Sequence, residues 1–346
     1  MKKEVLTYSA IKLFQGCRRK YNLRMNEGLV PLSQDGNLYL GSVWHAVLEI
    51  WYGSGDNDTK IRNAALIIDQ SFPNRQTDLR QKRDWHLCHA MFRGYMNRYP
   101  VDEFKVLGVE MEFVIPIRNP STNRSSRSFE LRGKVDGLVQ LKETGELFIL
   151  EHKSAAQITG GYIERLPSDF QINLYAMALS RFLKRKISGV IYSITRKASL
   201  KQSEGETEEQ FEIRKAELIQ KSKSGKSSAK RKMPETDDDF RERLVEKYTD
   251  PEMYCREMLY LSDDDAAQTS SELWDITKLI LAAKRESTWI PNWDNCFKFG
   301  NQPCMYWSLC RSNNNPNILD NYFEHRPPHS ELSEVADESN NENPIF

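Results

Sequence analysis

LRGKVDGLVQLKETGELFILEHK, residues 131–153, is the stretch from which the rest of the chain can be read. Val135, Leu138, Val139 and Leu141 precede a polar turn that includes Thr144 and Gly145, and an apolar run from Leu147 to Leu150 follows, the pattern of a β-hairpin. Asp136 and Glu151 stand nearly symmetrically about the turn, so antiparallel pairing sets them opposite each other within about one residue of register. Alternation puts Glu151 and Lys153 on one face of the second strand and His152 on the other. Two carboxylates beside one ammonium make a poor core. Facing carboxylates raise one another's pKa unless a cation lies between them, and a divalent metal with oxygen ligands is the obvious cation. A solvated hairpin edge could carry the same residues, so the remainder of the chain has to decide between the two.

Bulk properties narrow the classes. With 346 residues, 39% apolar and 10% aromatic, the chain can bury a sizeable core, while 28% charged residues and a mean hydropathy of −0.65 describe a heavily solvated surface. Basic and acidic residues number 49 each, so the net charge is zero, which argues against a generic DNA-coating protein and leaves only local patches for nucleic acid. No run approaches a membrane span, and MKKEVLTYSAIKLF lacks the apolar core and cleavage site of a signal peptide, so a cytoplasmic location is expected. The six cysteines lack the spacing of a secreted disulfide framework.

Around the hairpin, Thr7 to Arg24 reads as a short helix with Ser9 as N-cap and a stop at Gly16, just before Cys17. Arg18, Arg19, Lys20 and Arg24 with Tyr21 suit a phosphate backbone, although a solvated basic turn has the same composition. Leu38 to Tyr52 is an amphipathic helix with Trp44, Val47, Leu48 and Trp51 as its stripe and His45 and Glu49 together at the rim. Residues 59–99 read as further helices, in which His86, Cys88 and His89 do not converge on one face and are structural. Val106 to Ile117 is a strand, residues 119–128 a polar loop, and the sheet resumes at Phe129. After the hairpin, Ser168 to Lys186 opens with Ser168 and Gln171 in capping-box spacing and places Gln171 and Tyr175 side by side. Val190 to Thr195 reads as the last strand of the sheet.

Residues 196–250 turn rich in Lys, Glu, Arg and Ser, with a central segment from Ser224 expected to be mobile. Gly225, Lys226 and Ser227 imitate a phosphate-binding loop, but Gln220 stands where its first glycine belongs and no apolar strand precedes it. Glu272 to Lys284 is a helix, and beyond it Cys296, Cys304 and Cys310 lie among aromatics at spacings that suit a metal, without separating zinc from iron-sulfur.

Taken together these motifs resemble the PD-(D/E)XK nuclease superfamily, and within it the RecB-like branch that includes the AddB nuclease domain, the four-cysteine CRISPR-associated exonucleases and many phage-encoded relatives. The likeness rests on order: Cys17, then His45 in G-x-x-x-H, Asp136 in G-x-x-D, Glu151 and Lys153 in E-x-K, Gln171 and Tyr175 in Q-x-x-x-Y, and three cysteines, over roughly residues 7–312. E-x-K stands where D-x-K is commoner, a variation within the superfamily's own pattern.

That resemblance implies an α/β fold with a restriction-endonuclease-like core, a mixed central sheet flanked by helices, carrying helical insertions and a cysteine-ligated metal cluster. It implies a Mg²⁺ or Mn²⁺ site made by His45, Asp136, Glu151 and the main-chain carbonyl of His152, with Lys153 catalytic and Gln171 and Tyr175 supporting. It also implies a 4Fe-4S cluster on Cys17, Cys296, Cys304 and Cys310, zinc being the alternative, and DNA as partner, either single strands or ends. No helicase motor is legible, so a helicase or recombination protein is an expected associate. The activity the resemblance implies is a metal-dependent DNA exonuclease acting in repair, recombination or phage DNA processing, and a CRISPR-adaptation nuclease trimming spacers and a non-catalytic DNA-binding subunit are the rival readings. The expected organisation is a nuclease core over 1–195 including the first cluster cysteine, a charged insertion over 196–250, a C-terminal helix and three-cysteine segment over 251–312, and a polar acidic, disordered tail over 313–346.

Overall fold

The central strand is β4 (Ser125–Leu141), and its two edges are used unequally in this computed structural model, which describes residues 3–32, 36–222, 226–298, 302–329 and 332. Along one edge β3 (Phe104–Arg118) pairs antiparallel over the whole length, from Phe104 opposite Leu141 to Arg118 opposite Ser125. The other edge is shared: β1 (Glu4–Leu6) runs parallel to Phe129–Leu131, and β5 (Leu147–Ala155) runs antiparallel to Gly137–Gln140. Residues 132–136 lie between those two partners, and there the sheet opens. β5 continues beside β6 (Ile187–Arg196) in parallel, connected through α6 (Gly160–Glu164) and α7 (Phe170–Leu183), as a parallel pair requires a crossover. β7 (Tyr254–Tyr260) closes the sheet antiparallel to β6. The result is a sheet of six strands flanked by helices, mixed as expected.

Each face of the sheet carries its own core. Leu147 and Ile149 of β5 join the first core, with α1 (Tyr8–Gly16), α7 and α10 (Asp263–Glu286) over it, while Phe148 and Leu150 join the second. The second is covered by α3 (Gly36–Tyr52), α4 (Asn57–Ser71), α5 (Leu79–Arg98) and α9 (Asp237–Lys247), which contribute Trp44, Ile68, Met91 and Phe240. A third, small cluster of Leu23, Leu29, Tyr306, Leu309 and Phe323 joins the chain ends: α2 (Arg18–Tyr21), β2 (Leu29–Pro31), β8 (Phe297–Lys298), β9 (Gln302–Pro303), α11 (Trp307–Arg311), α12 (Pro316–Tyr322) and β10 (Phe323–His325).

Several expectations need correcting. Thr7, not Ser9, caps α1: its extended backbone lets its Oγ1 accept the Ala10 N–H at 3.2 Å, whereas Ser9 lies inside the first turn. Asp169, not Ser168, caps α7 and accepts the Gln171 N–H at 3.0 Å, because Ser168 is used by the preceding 3₁₀ turn. β6 is not the last strand, since β7 follows; its Arg and Glu disguised an edge strand. Residues 196–250 divide in two: α8 (Glu208–Lys221) has no buried residue, while α9 buries Phe240 and Leu244. Just ahead of α8, Glu206 takes bonds from Arg214 and from the N–H of Lys232 in the segment between the two helices. Gly225 lies outside the described residues. The tail is structured as far as His325, because β10 pairs with β2 and Phe323 stacks on Tyr306 with ring centroids 5.6 Å apart. Residues 330–331 and 333–346 lie outside the described residues.

Candidate active site at the opening in the sheet

The β4–β5 ladder ends at the pair Gly137 with Leu150, which carries Asp136 and Glu151 to the mouth of the opening. There the Asp136 side chain replaces the ladder: Oδ2 accepts the His152 main-chain N–H at 2.8 Å, and Oδ1 lies 3.2 Å from Nδ1 of His45. One residue along, Glu151 Oε1 accepts from Lys153 Nζ at 2.6 Å and from Gln171 Nε2 at 3.5 Å. As the alternation requires, Glu151 and Lys153 face α7, while the His152 ring turns toward α3 and stacks on Tyr52 at 5.3 Å.

Local sequence explains each placement. The buried stripe Trp44, Val47 and Leu48 fixes α3 on the second core, which leaves His45 half-buried at the sheet's rim beside Asp136. The stripe of α7 buries Leu174 and Ala178 and turns Gln171 and Tyr175 toward β4 and β5. Gly133, the first residue of G-x-x-D, is required by close approach, since a Cβ there would sit 2.5 Å from the Phe113 ring and 3.1 Å from that of Tyr175.

The charges are unequal. Burial alone pushes Glu151 up, nearby Asp136 adds to it, and the Lys153 ammonium only partly compensates, leaving Glu151 at about 7. Burial also opposes the charge on Asp136, but His45 and the His152 N–H outweigh it and hold this carboxyl below its usual range. Burial pulls His45 down, yet its bond to Asp136 wins and raises it, and Lys153 is raised because Glu151 outweighs its burial. Burial drops His152 to about 3, so its ring is neutral. Asp136 is thus firmly ionised, and Glu151 is a carboxylate short of positive charge.

That shortage fits a divalent cation. Hard oxygen donors from Asp136, Glu151 and the His152 carbonyl, with an imidazole from His45, form a donor set suited to Mg²⁺ or Mn²⁺. Among the described residues no three His, Cys, Asp or Glu groups already stand at coordination spacing, and His45 is engaged with Asp136.

Four residues at this site had no signal in the sequence. Tyr8 lies 6.3 Å from Tyr175, ring to ring, and burial and then the charges of Asp169, Lys153 and Glu151 act on its phenol. Asp169 receives the Tyr192 hydroxyl at 3.4 Å, and Tyr162 feels Lys153. All come from separate elements, and none belongs to a periodic motif.

Farther off, the four cysteines singled out are neighbours. Burial raises the Cys296 thiol, and Cys304, Cys17 and Cys310 each raise it further. The Cys304 N–H donates to the Cys296 carbonyl at 2.6 Å, and the Asn292 N–H points to Cys17 Sγ at 3.4 Å. None of the four is in a disulfide, nor are the remaining two, Cys88 buried on α5 and Cys255, half-buried rather than buried, on β7. The basic segment serves this region too. Arg19 bonds Cys310 and the Asn314 side chain, and Arg24 donates to the carbonyls of Arg326 and Pro327. Arg18 lies over the Phe14 ring, and Lys20 is half-buried. Two of the four cations expected on DNA therefore spend their donors within the chain.

Comparison with known proteins adds one match. The family model described as the PD-(D/E)XK nuclease superfamily covers residues 5–311, a span that includes the opening in the sheet and all four cysteines. No curated protein matches the chain.

Proposed function

The chain belongs to the PD-(D/E)XK nuclease superfamily, and from that premise we propose that it is a metal-dependent DNA exonuclease of the RecB-like, AddB-like iron-sulfur branch. The observation that carries this reading is the convergence of Asp136 and Glu151 at the opening in the sheet, with Lys153 Nζ 2.6 Å from Glu151. His45, Asp136, Glu151 and the His152 carbonyl would hold one or two Mg²⁺ or Mn²⁺ ions, whose chemistry is to polarise the scissile phosphate and acidify bound water. Lys153 positions the attacking water or steadies negative charge developing on the phosphate, a task for a compact ammonium. Gln171 orients Glu151 through its amide, and Tyr175 packs the strand behind it.

The substrate is DNA, taken as single strands or at ends, in repair, recombination or phage DNA processing, with a helicase or recombination protein as associate. Cys17, Cys296, Cys304 and Cys310 would hold a 4Fe-4S cluster with a structural role, zinc being the alternative. Visible absorption and metal analysis of anaerobically purified protein separate the two.

End-labelled single-stranded and duplex DNA, with covalently closed circles beside them, test the activity in Mg²⁺ or Mn²⁺. Loss of linear DNA alone, dependent on metal and on Lys153, is the expected outcome. Intact DNA with fully metallated protein would replace this reading by a non-catalytic DNA-binding subunit.

A further inference from the structure

The face of the sheet under α3 and α5 is largely apolar, but a polar row crosses three of its strands. His152 of β5 is opposite Ser193 of β6, and Ser193 is opposite Arg256 of β7. His152 and Ser193 are buried, as are Leu150 and Ile191 in the row beside them. Three tyrosines cover the polar row. The Tyr95 hydroxyl lies 2.8 Å from Ser193 Oγ and 2.8 Å from the Tyr52 hydroxyl. Arg256 donates to Tyr52 at 2.7 Å and Tyr95 at 3.2 Å, pairs with Asp102 at 2.6 Å, and lies 3.6 Å over the Tyr99 ring. Its Nε is buried without a partner among the described residues.

A half-buried charge pair is a modest source of stability, because desolvation offsets part of its attraction, but it does select one arrangement of its neighbours. What this one selects is the geometry of the site. Tyr52 ends α3, and its ring is stacked on His152 at 5.3 Å and 18°. Seven residues earlier on the same helix stands His45, on Asp136; on the strand side, the His152 N–H holds the other oxygen of Asp136. Clamping Tyr52 therefore fixes helix and strand relative to each other at the point where both meet the carboxylate.

We infer that Arg256 is a positioning residue: through Tyr52 it locks α3 onto β5 and so keeps His45, Asp136 and the His152 main chain together, the arrangement from which a divalent ion would be bound. The inference rests on the metal-site reading given above. It assigns a role at the site to an edge-strand arginine that touches none of the donors. Partners one shell behind metal ligands typically change metal affinity or activity by about 10- to 100-fold when removed.

The test is calorimetric titration of metal-free protein with Mn²⁺, without DNA, alongside melting curves. Arg256→Met is expected to weaken Mn²⁺ binding by about tenfold. Phe240→Leu, in the same core on α9 but outside the lock, is expected to lower the melting temperature and leave Mn²⁺ affinity unchanged. Should Arg256→Met fail to fold, Tyr52→Phe keeps the ring stack, loses the clamped hydroxyl and is expected to weaken Mn²⁺ binding several-fold. Wild-type Mn²⁺ affinity in whichever of these two folds would overturn the positioning role while leaving the metal site standing. A wild-type protein that binds Mn²⁺ no better than Asp136→Asn would remove the metal site, and the positioning role with it.

Discussion

The opening in the sheet and the cysteine corner both gather side chains from distant parts of the chain, but they hold them differently. At the opening, protein groups already meet each charge: Asp136 has the His152 N–H and His45, and Glu151 has Lys153 and Gln171. Two large cores brace it from either face. In the corner the four thiols are neighbours, with the Asn292 N–H on Cys17 and Arg19 on Cys310, and behind them stand five buried apolar residues and strands two or three residues long. An ionised thiol raises the pKa of the next, so four together call for a cation. The first region is preorganised by the fold; the second would take its order from the proposed cluster.

The largest effect should come from Lys153→Ala. Single-turnover cleavage of end-labelled DNA is expected to fall by about a thousandfold, with the melting temperature retained. Glu151, already at about 7, can take up a proton once its ammonium is gone, so the fold need not bear an unpaired buried charge. A mutant with wild-type turnover refutes the catalytic assignment, and an unfolded one would show that the opening is not braced as described.

Cys304→Ala should do the opposite, costing the chain-end region more than about 4 kcal/mol through loss of the cluster. Lower solubility, a lower melting temperature and loss of bound iron are the expected readouts. An unchanged melting curve, with wild-type protein that binds no metal, would end the contrast between the two regions.

Gly133→Ala sharpens the comparison on the braced side. Its methyl would press on the Phe113 and Tyr175 rings, and overpacking of this kind costs about 1–3 kcal/mol. Turnover should fall with little change in KM, because Tyr175 is displaced while the metal donors stay; unaltered kinetics would show that Tyr175 only fills space.

The smallest effect belongs to neither region and serves as their baseline. His86 is buried against Phe240, both ring nitrogens lack a partner among the described residues, and burial pushes its pKa below the usual value. A depressed folded pKa means that the unfolded chain binds the extra proton first. Its stabilising contribution is therefore complete above the unfolded value, about 6.5, and is lost as pH falls toward the folded one. His86→Leu should add about 1 kcal/mol and flatten the acid dependence of urea melts between about pH 7 and about pH 5. An equally steep loss in the mutant would place the acid sensitivity elsewhere.

Spacing along single elements was enough for much of the fold and for most of the candidate site. The hairpin, its register, the opposite faces of Glu151 and His152, and the side-by-side Gln171 and Tyr175 all follow from periods of two and 3.6 residues, which are local properties. So does His45 at the edge of a helical stripe. The helix caps lie one or two positions from where spacing puts them, since which hydroxyl or carboxylate caps depends on which residue turns extended. β7 and β10 were missed for another reason. Strands at a sheet's edge or paired with only one partner need few apolar residues, so YCREMLY and FEH look like loop.

What the amino-acid order determined by itself is the hairpin that presents Asp136, Glu151 and Lys153 together, because pairing across a short turn is set by residues close in the chain. What only the tertiary structure decided is who their neighbours are. Tyr8 and Asp169 beside the lysine, Arg19 and Arg24 turned inward to the chain's end, and Arg256 clamped on Tyr52 across 204 residues all arise from burial and hydrogen bonding between elements. No period along the chain encodes those contacts, since each depends on three-dimensional packing that brings remote residues within hydrogen-bond reach.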